Sequence, residues 1–294
     1  MKVGIVGTGT MGSRMVGKWI EAGFEVVARD INPAAEENVR GIGAKTVGSP
    51  ADVAKEADVV ILSLPMPADV LEVIGGQNGL LAGASKGLVI ADMSTVDPMC
   101  EKKATAMCSE KSVGFLDAPV LGRPQSCGMW TLPVGGDDAS LAKARPVLEK
   151  VAKRVELVGA SGNGQIVKLL NNLMFGAINA VTAEIMALCA KAGLSPKVLF
   201  NLIEGSGAAT VSNLFKELGP KMLARDYSPL FAMDLLWKDN MLGLEMAKEY
   251  KAPMPLSSAT NVLNEMARAK GLGPEDTSAL VKIYEEFYGA RVEG

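Results

Sequence analysis

Two patterns of apolar positions divide the chain. Up to about residue 160, short apolar runs alternate with stretches of mixed polarity. The runs are KVGIV at residues 2–6, EVVAR at 25–29, VVILSLP at 59–65, GLVIADMST at 87–95 and VGFLDAPV at 113–120. Runs of this length bounded by Gly and Pro read as buried strands. Their alternation with helical stretches predicts a mostly parallel, doubly wound sheet. A further short strand is expected at 130–134, then a helix from 137 and a last short strand, VELVG. Beyond Gly162 the period changes. Val167, Leu170, Met174, Ile178, Val181, Ile185 and Leu188 are spaced by three or four, with no proline between 164 and 193. That predicts one helix of about 28 residues, roughly 42 Å at 1.5 Å per residue. Helices at 195–203, 209–215, 231–250, 257–269 and 276–288 follow, punctuated by Gly and Pro. The expected organisation is an α/β domain over 1–162 and an all-α helical domain over 163–294, linked by the long helix.

Composition narrows the chemistry mainly by exclusion. The 294 residues are 48% hydrophobic and 21% charged, with a formal charge of −3 and a pI near 5.3. That gives no electrostatic case for nucleic acid or an anionic membrane. No uninterrupted apolar run approaches the ~20 residues of a bilayer span. The apolar start MKVGIVGTG is too short for a signal peptide and reads as a first strand, so a cytoplasmic protein is expected. The four cysteines, Cys100, Cys108, Cys127 and Cys189, show no metal-ligand spacing and read as free thiols. There is no histidine. Histidine-ligated zinc hydrolases and Ser-His-Asp enzymes are therefore excluded, no metal is expected, and any acid or base must be Lys, Tyr, Cys or a carboxylate.

The first strand runs into Gly7-Thr8-Gly9-Thr10-Met11-Gly12, a GxGxxG with a helix after it and a second strand beyond. Gly7 allows the tight turn, Gly9 lets the backbone approach a pyrophosphate, and Gly12 lets helix and strand pack closely. The phosphates would sit at the helix N-terminus, among free N–H groups. Asp30, at the end of the second strand, suits an adenine ribose and repels a 2′-phosphate, favouring NAD over NADP. Arg29 complicates this, although strand alternation should turn it away from Asp30. Ligands of doubly wound sheets bind beyond the strand C-termini. The loops at 64–67, 94–95 and 121–123 should therefore border cofactor and substrate, through Leu64, Pro65, Thr95, Gly122 and Arg123. Ser94 and Thr95 could equally cap the following helix.

Near the start of the long helix, Lys168 and Asn172 stand four apart and share a face, which Phe175 and Asn179 continue. Hydride transfer at an alcohol needs a proton carrier at the oxygen. With no histidine, and no Tyr followed four residues later by Lys, a lysine is the remaining common solution.

On these residues the chain resembles the β-hydroxyacid dehydrogenase family, that of 3-hydroxyisobutyrate dehydrogenase. The resemblance covers essentially the whole length. It rests on GIVGTGTMG at residues 4–12, DAPV at 117–120, GNGQIVKLLNN at 162–172 and the pair Lys238-Asp239. It implies a Rossmann-type domain followed by a helical domain, with Lys168 as acid/base and Asn172 orienting the substrate. It also implies that Lys238 serves cofactor and substrate from the helical domain, as part of a homodimer or homotetramer. Lys238 could instead be a snorkelling lysine paired with Asp239. The apolar content of residues 175–188 is compatible with an oligomer contact or with an internal core.

One departure bears on substrate. Family members acting on simple 3-hydroxy acids commonly read DAPVSGG, whereas this chain reads DAPVLGR, with Leu121 and Arg123 in place of serine and the last glycine. A guanidinium offers a forked, permanently charged donor set to a carboxylate, sulfonate or phosphonate; the bland alternative is an exposed loop arginine. The expected activity is NAD-dependent interconversion of a small acidic 3-hydroxy compound and its semialdehyde. The alternative substrate is a sulfonated or dicarboxylic semialdehyde held by Arg123, of the sulfolactaldehyde or tartronate-semialdehyde type. The alternative of another class is a non-catalytic dinucleotide-binding module.

Overall fold

The computed structural model describes residues 1–206 and 212–294. Among them, eight strands form one sheet: β1 (Lys2–Val6), β2 (Glu25–Arg29), β3 (Lys45–Thr46), β4 (Val59–Leu62), β5 (Val89–Asp92), β6 (Gly114–Asp117), β7 (Trp130–Gly135) and β8 (Ala152–Gly159). Their order is β3-β2-β1-β4-β5-β6-β7-β8. The first six are parallel; β7 runs antiparallel to β6, and β8 parallel to β7. The order reverses between β1 and β4, so the loops after those two strands flank the crevice where such sheets bind ligands.

The unbroken apolar runs follow from burial on both faces. Val3 and Ile5 of β1 and Val59 and Ile61 of β4 pack on one side with Met15, Trp19 and Leu148. Val6, Val60 and Leu62 pack on the other with Val53, Ile74 and Cys100. Four of the covering helices, Pro33–Gly41, Pro50–Glu56, Pro67–Gly75 and Pro98–Glu110, open on a proline, where the missing N–H costs no helical bond. The side chains of Asn32, Ser49 and Asp97 cap three of them.

Two compact units result, Met1–Lys168 and Leu169–Gly294. The long helix is continuous over Asn163–Lys191, and its opening turns, including Lys168, belong to the first unit. By length and composition it could cross a membrane, with a mean hydropathy of 1.7 in its most apolar window, half of which is buried. The helical period is found as expected, while the sequence left open which face turns inward. Leu170, Met174, Val181 and Leu188 of the periodic stripe are 48–67% exposed. The buried positions are instead Leu169, Leu173, Ala180, Ala183, Met186 and Ala187. Both faces are apolar, so periodicity alone could not choose between them.

In the second unit Pro196–Gly205, Met233–Glu249 and Pro255–Ala269 lie close to the expected helices. The helix expected at 209–215 is found at Asn213–Ala224, and residues 209–211 lie outside the described residues. Gly219-Pro220 looks like a helix stop but lies within this helix. A Cβ at Gly219 would come within 2.4 Å of the Phe200 ring, so the glycine serves packing. The expected helix at 276–288 opens as a 3-10 turn, Thr277–Leu280, before Val281–Tyr288.

Candidate active site and dinucleotide cradle

The three glycines after β1 are used differently. Gly7 has φ +94°, and a Cβ there would lie 2.2 Å from Ser63 O, so only glycine fits the turn. A Cβ on Gly12 would lie 2.1 Å from Gly7 O, which is the close helix–strand approach. A Cβ on Gly9 would meet nothing within 4 Å. Gly9 is also the N-cap of the helix Thr10–Glu21 and supplies no side-chain cap. The first-turn amides near Thr10 and Met11 are thus bare beside open space, which fits a pyrophosphate.

Asp30 lies at the end of β2, beside this turn. Its Oδ2 accepts from Thr8 N at 2.6 Å and Thr8 Oγ1 at 3.2 Å, and its Oδ1 accepts from Asn32 N at 2.8 Å. Arg29 does not reach that carboxylate. Its guanidinium donates to Glu36 Oε1 at 2.7 Å and to the Asp30 carbonyl at 2.6 Å. Burial works against the Glu36 charge, but hydrogen bonds from Arg29 and the Asp30 amide outweigh it and hold that carboxyl below its ordinary range.

Beyond β4, Leu64 N donates to Ser94 Oγ at 2.8 Å, and Pro65 is exposed. The helix after β5 is capped by Asp97, whose Oδ1 accepts from Cys100 N at 2.8 Å, and not by Ser94 or Thr95. Ser94 instead joins the loop after β5 to the loop after β4, with half-buried Thr95 beside it.

Asp117 at the end of β6 receives the start of the long helix. Gly162 N donates to Oδ1 at 2.7 Å and Gln165 N to Oδ2 at 3.1 Å. A Cβ at Gly164 would lie 2.7 Å from Asp117 Oδ2, so the glycine of this motif lets helix and carboxylate meet. Burial pushes the Asp117 carboxyl up, against the opposing pull of those amides. Lys168, half-buried, stands one turn past Gly164. DAPV carried the resemblance, but nothing in the sequence tied its Asp117 to a helix 45 residues away.

Gly122 lies against Trp130, whose Cδ1 would be 2.3 Å from any Cβ there. Arg123 is half-buried, and its backbone is pinned: Trp130 Nε1 donates to Arg123 O at 2.7 Å and Ser126 Oγ to the same oxygen at 2.9 Å.

In the helical unit, Asn172 is buried and donates from Nδ2 to Asp239 Oδ2 at 2.5 Å. Lys238 Nζ lies 2.8 Å from Asp239 Oδ1, so the ion pair foreseen as one alternative is present. Phe175 meets Phe231 edge-on, with ring centroids 5.5 Å apart. Asn179 faces Thr277, donating to its carbonyl at 3.0 Å. Asp239 and Phe231 escaped the sequence reading as partners of Asn172 and Phe175. Adjacency to Lys238 was the only signal for Asp239, and Phe231 gave none.

Residues 2–159 match a family model described as the NAD binding domain of 6-phosphogluconate dehydrogenase. Residues 162–284 match one described as the NAD-binding domain of NADP-dependent 3-hydroxyisobutyrate dehydrogenase. The chain is 34% identical to 2-(hydroxymethyl)glutarate dehydrogenase of Eubacterium barkeri, over 100% of its own length and 98% of that protein. It is 33% identical to 3-sulfolactaldehyde reductase of Escherichia coli (strain K12), over 95% and 94%. Among solved structures, 3-hydroxyisobutyrate dehydrogenase of Salmonella typhimurium superposes with a TM-score of 0.88 at 30% identity, covering 96% of this chain and 99% of that one. With the glycine cradle and the GNGQIVKLLNN helix, these likenesses show that the chain belongs to the β-hydroxyacid dehydrogenase family of NAD(P)-dependent oxidoreductases.

Proposed function

We propose that the protein uses NAD to interconvert a small, strongly anionic 3-hydroxy compound and its semialdehyde, with Lys168 as acid/base. The observation that carries this is the opening of the long helix. Its N-terminal amides end on Asp117 at the ligand-binding edge of the sheet, one turn before Lys168, and Asn172 follows one turn later. Lys168 would hand a proton to the carbonyl oxygen in reduction and take it back in oxidation. Asn172, held by Asp239, would orient that oxygen with its amide.

Gly7, Gly9, Thr10, Met11 and Gly12 would hold the pyrophosphate, Asp30 the ribose, and Leu64, Pro65 and Thr95 the nicotinamide side. NAD supplies the hydride acceptor or, reduced, the donor. The preference for NAD is supported by Asp30, kept in place by Thr8, and by Arg29, whose guanidinium is committed to Glu36.

For the substrate, Gly122 and Arg123 would receive the anionic group, Phe175 would lie along the carbon chain, and Lys238 would add a contact to an anionic ligand. Two relatives are named for a dicarboxylate and a sulfonate, which suits a guanidinium better than an uncharged end. The exposed stripe of Leu170, Met174, Val181 and Leu188 supports a second copy of the chain as partner, in a homodimer or homotetramer. Four free thiols suit a cytoplasmic setting.

A panel of carboxylate, sulfonate and neutral aldehydes with NADH tests the function. Turnover of an anionic member supports it, and no turnover of any leaves a binding module. Sedimentation showing only a single-chain species would remove the oligomer.

A further inference from the structure

Glu101 is fully buried on the helix Pro98–Glu110, and the roles assigned above make no use of it. Gln165 Nε2 donates to Glu101 Oε1 at 2.6 Å, while Oε2 has no hydrogen-bond partner among the described residues. The same Nε2 donates to Ser94 O at 2.9 Å, and Gln165 Oε1 accepts from Val96 N at 3.3 Å. Its backbone N donates to Asp117. One glutamine thus ties together the loop after β5, the helix Pro98–Glu110 and the first turn of the long helix, three residues before Lys168. Through Ser94 Oγ the knot extends to Leu64 and the loop after β4.

We propose that Glu101 and Gln165 form a positioning clamp, which locks the loop after β5 onto the opening of the long helix and thereby sets where Lys168 stands. The clamp rests on the reading of Lys168 as acid/base.

Its working form follows from its surroundings. A fully buried carboxylate with one hydrogen-bond donor is costly as an anion. The charges acting on it most strongly are carboxylates too: Asp92 of β5, Asp117 of β6 and Asp97 at the N-cap of its own helix. The helix Pro67–Gly75, packed against Pro98–Glu110, carries Asp69 and Glu72 and no basic residue. Burial first, then Asp92 and Asp117, drives the Glu101 carboxyl well above its ordinary range. The neighbouring Cys100 thiol is pushed up by burial. Neutral Glu101 offers its carbonyl oxygen to Gln165, and a glutamine at 101 would do the same.

The test compares Glu101→Gln, Glu101→Leu and Lys168→Ala in the full chain. Glu101→Leu removes the acceptor and should lower kcat by about 10–100-fold, the scale of displacing a reacting group by about 1 Å. It should also shift the pH midpoint of kcat, which a loss of stability alone does not do well below the unfolding temperature. Glu101→Gln should restore both. If Glu101→Leu does not fold, Gln165→Met is read in its place. Wild-type kcat and pH profile in the leucine variant, beside an inactive Lys168→Ala, overturn the clamp and leave the acid/base reading standing. An active Lys168→Ala overturns the acid/base reading itself.

Protonation is read separately from urea midpoints. Unfolding releases the Glu101 proton once the pH exceeds about 4.3, the ordinary glutamate value, so the wild type loses stability as pH rises from there toward the raised folded value. Glu101→Gln has no such loss, and Asp92, Asp97 and Asp117 are present in both chains. Its midpoint advantage should therefore grow with pH. A constant difference between about pH 4.5 and 8 would overturn the neutral form of the clamp.

Discussion

Asn172 and Asp239 are joined by a hydrogen bond of 2.5 Å between groups 3% exposed, from Nδ2 of one to Oδ2 of the other. The other oxygen of Asp239 lies 2.8 Å from Lys238 Nζ, at ion-pair distance without hydrogen-bond alignment. One carboxylate therefore sets both the amide of Asn172 and the ammonium of Lys238. Asn171 Nδ2 adds a contact to Asn172 Oδ1 at 3.0 Å.

Asp239→Ala should leave the buried Asn172 amide without its acceptor, at a cost of about 1–3 kcal/mol in unfolding free energy. On the proposed role of Asn172, the freed amide would no longer orient a substrate, and kcat should fall by about 10–100-fold. Asp239→Asn keeps an acceptor oxygen and should recover part of the stability but less of the activity. Urea unfolding and steady-state kinetics on the two variants check this. Equal kcat in wild type and Asp239→Ala would remove the orienting role.

Lys168→Ala should lose about 10²–10⁴ in kcat, the usual span for a positioned acid or base. NADH binding, followed by fluorescence, should be largely kept, because the cradle around Gly9 makes no use of this side chain. Lys168→Arg should fail as well, since a guanidinium does not give up its proton near neutral pH. Near-normal turnover in Lys168→Ala would move the proton carrier elsewhere, with Lys238 next to be tested.

The dinucleotide preference should follow Asp30. A 2′-phosphate beside this carboxylate loses a hydrogen bond and gains repulsion, worth about 1–3 kcal/mol. Asp30→Ala should narrow the NAD/NADP gap by weakening NAD, and should also loosen the turn, because Thr8 N and Oγ1 lose their acceptor. Glu36→Ala should narrow it from the other side by releasing Arg29 from that carboxylate. Equal kcat/KM for NAD and NADP in the wild type would show the preference to be absent.

What could be read from the sequence was what is enforced locally. Gly7 is required by its own φ of +94° and Gly12 by the Gly7 carbonyl five residues before it, while Gly9 leaves open space at the helix N-terminus, so their spacing revealed them. The strands were legible because both faces of the sheet are covered and the apolar runs are unbroken. Contacts between distant segments were not legible. Asp117 and Gly162 meet across 45 residues, and Gln165 and Glu101 across 64. On the long helix, Leu170 and Leu173 are equally apolar, yet one is exposed and the other buried. Only the packed neighbours decide which face turns inward. The need for glycine at 219 is likewise set from a distance, by the Phe200 ring of another helix.

Arg123 is where this chain leaves its family's usual wording, and its geometry makes the substitution informative. The loop is held through the backbone of Arg123, by Trp130 Nε1 at 2.7 Å and Ser126 Oγ at 2.9 Å, so Arg123→Ala should leave the loop's shape in place. A substrate bound beyond β6 would turn its anionic group to the guanidinium and its hydroxyl-bearing carbon toward Lys168. Charge-assisted hydrogen bonds to such an anion are worth roughly 1.5–3 kcal/mol. Arg123→Ala should therefore raise KM for the true substrate by about one to two decades. If the anchor is equally strong in the transition state, kcat changes little. Arg123→Lys should recover only part, because a point charge does not reproduce the fork. Wild type and Arg123→Ala are to be compared on a carboxylate, a sulfonate and an uncharged aldehyde of matched length. The loss should be confined to the two anions. A loss of the same size on the uncharged aldehyde would mean that Arg123 shapes the loop and does not read charge, and the anionic anchor would have to be sought at another residue.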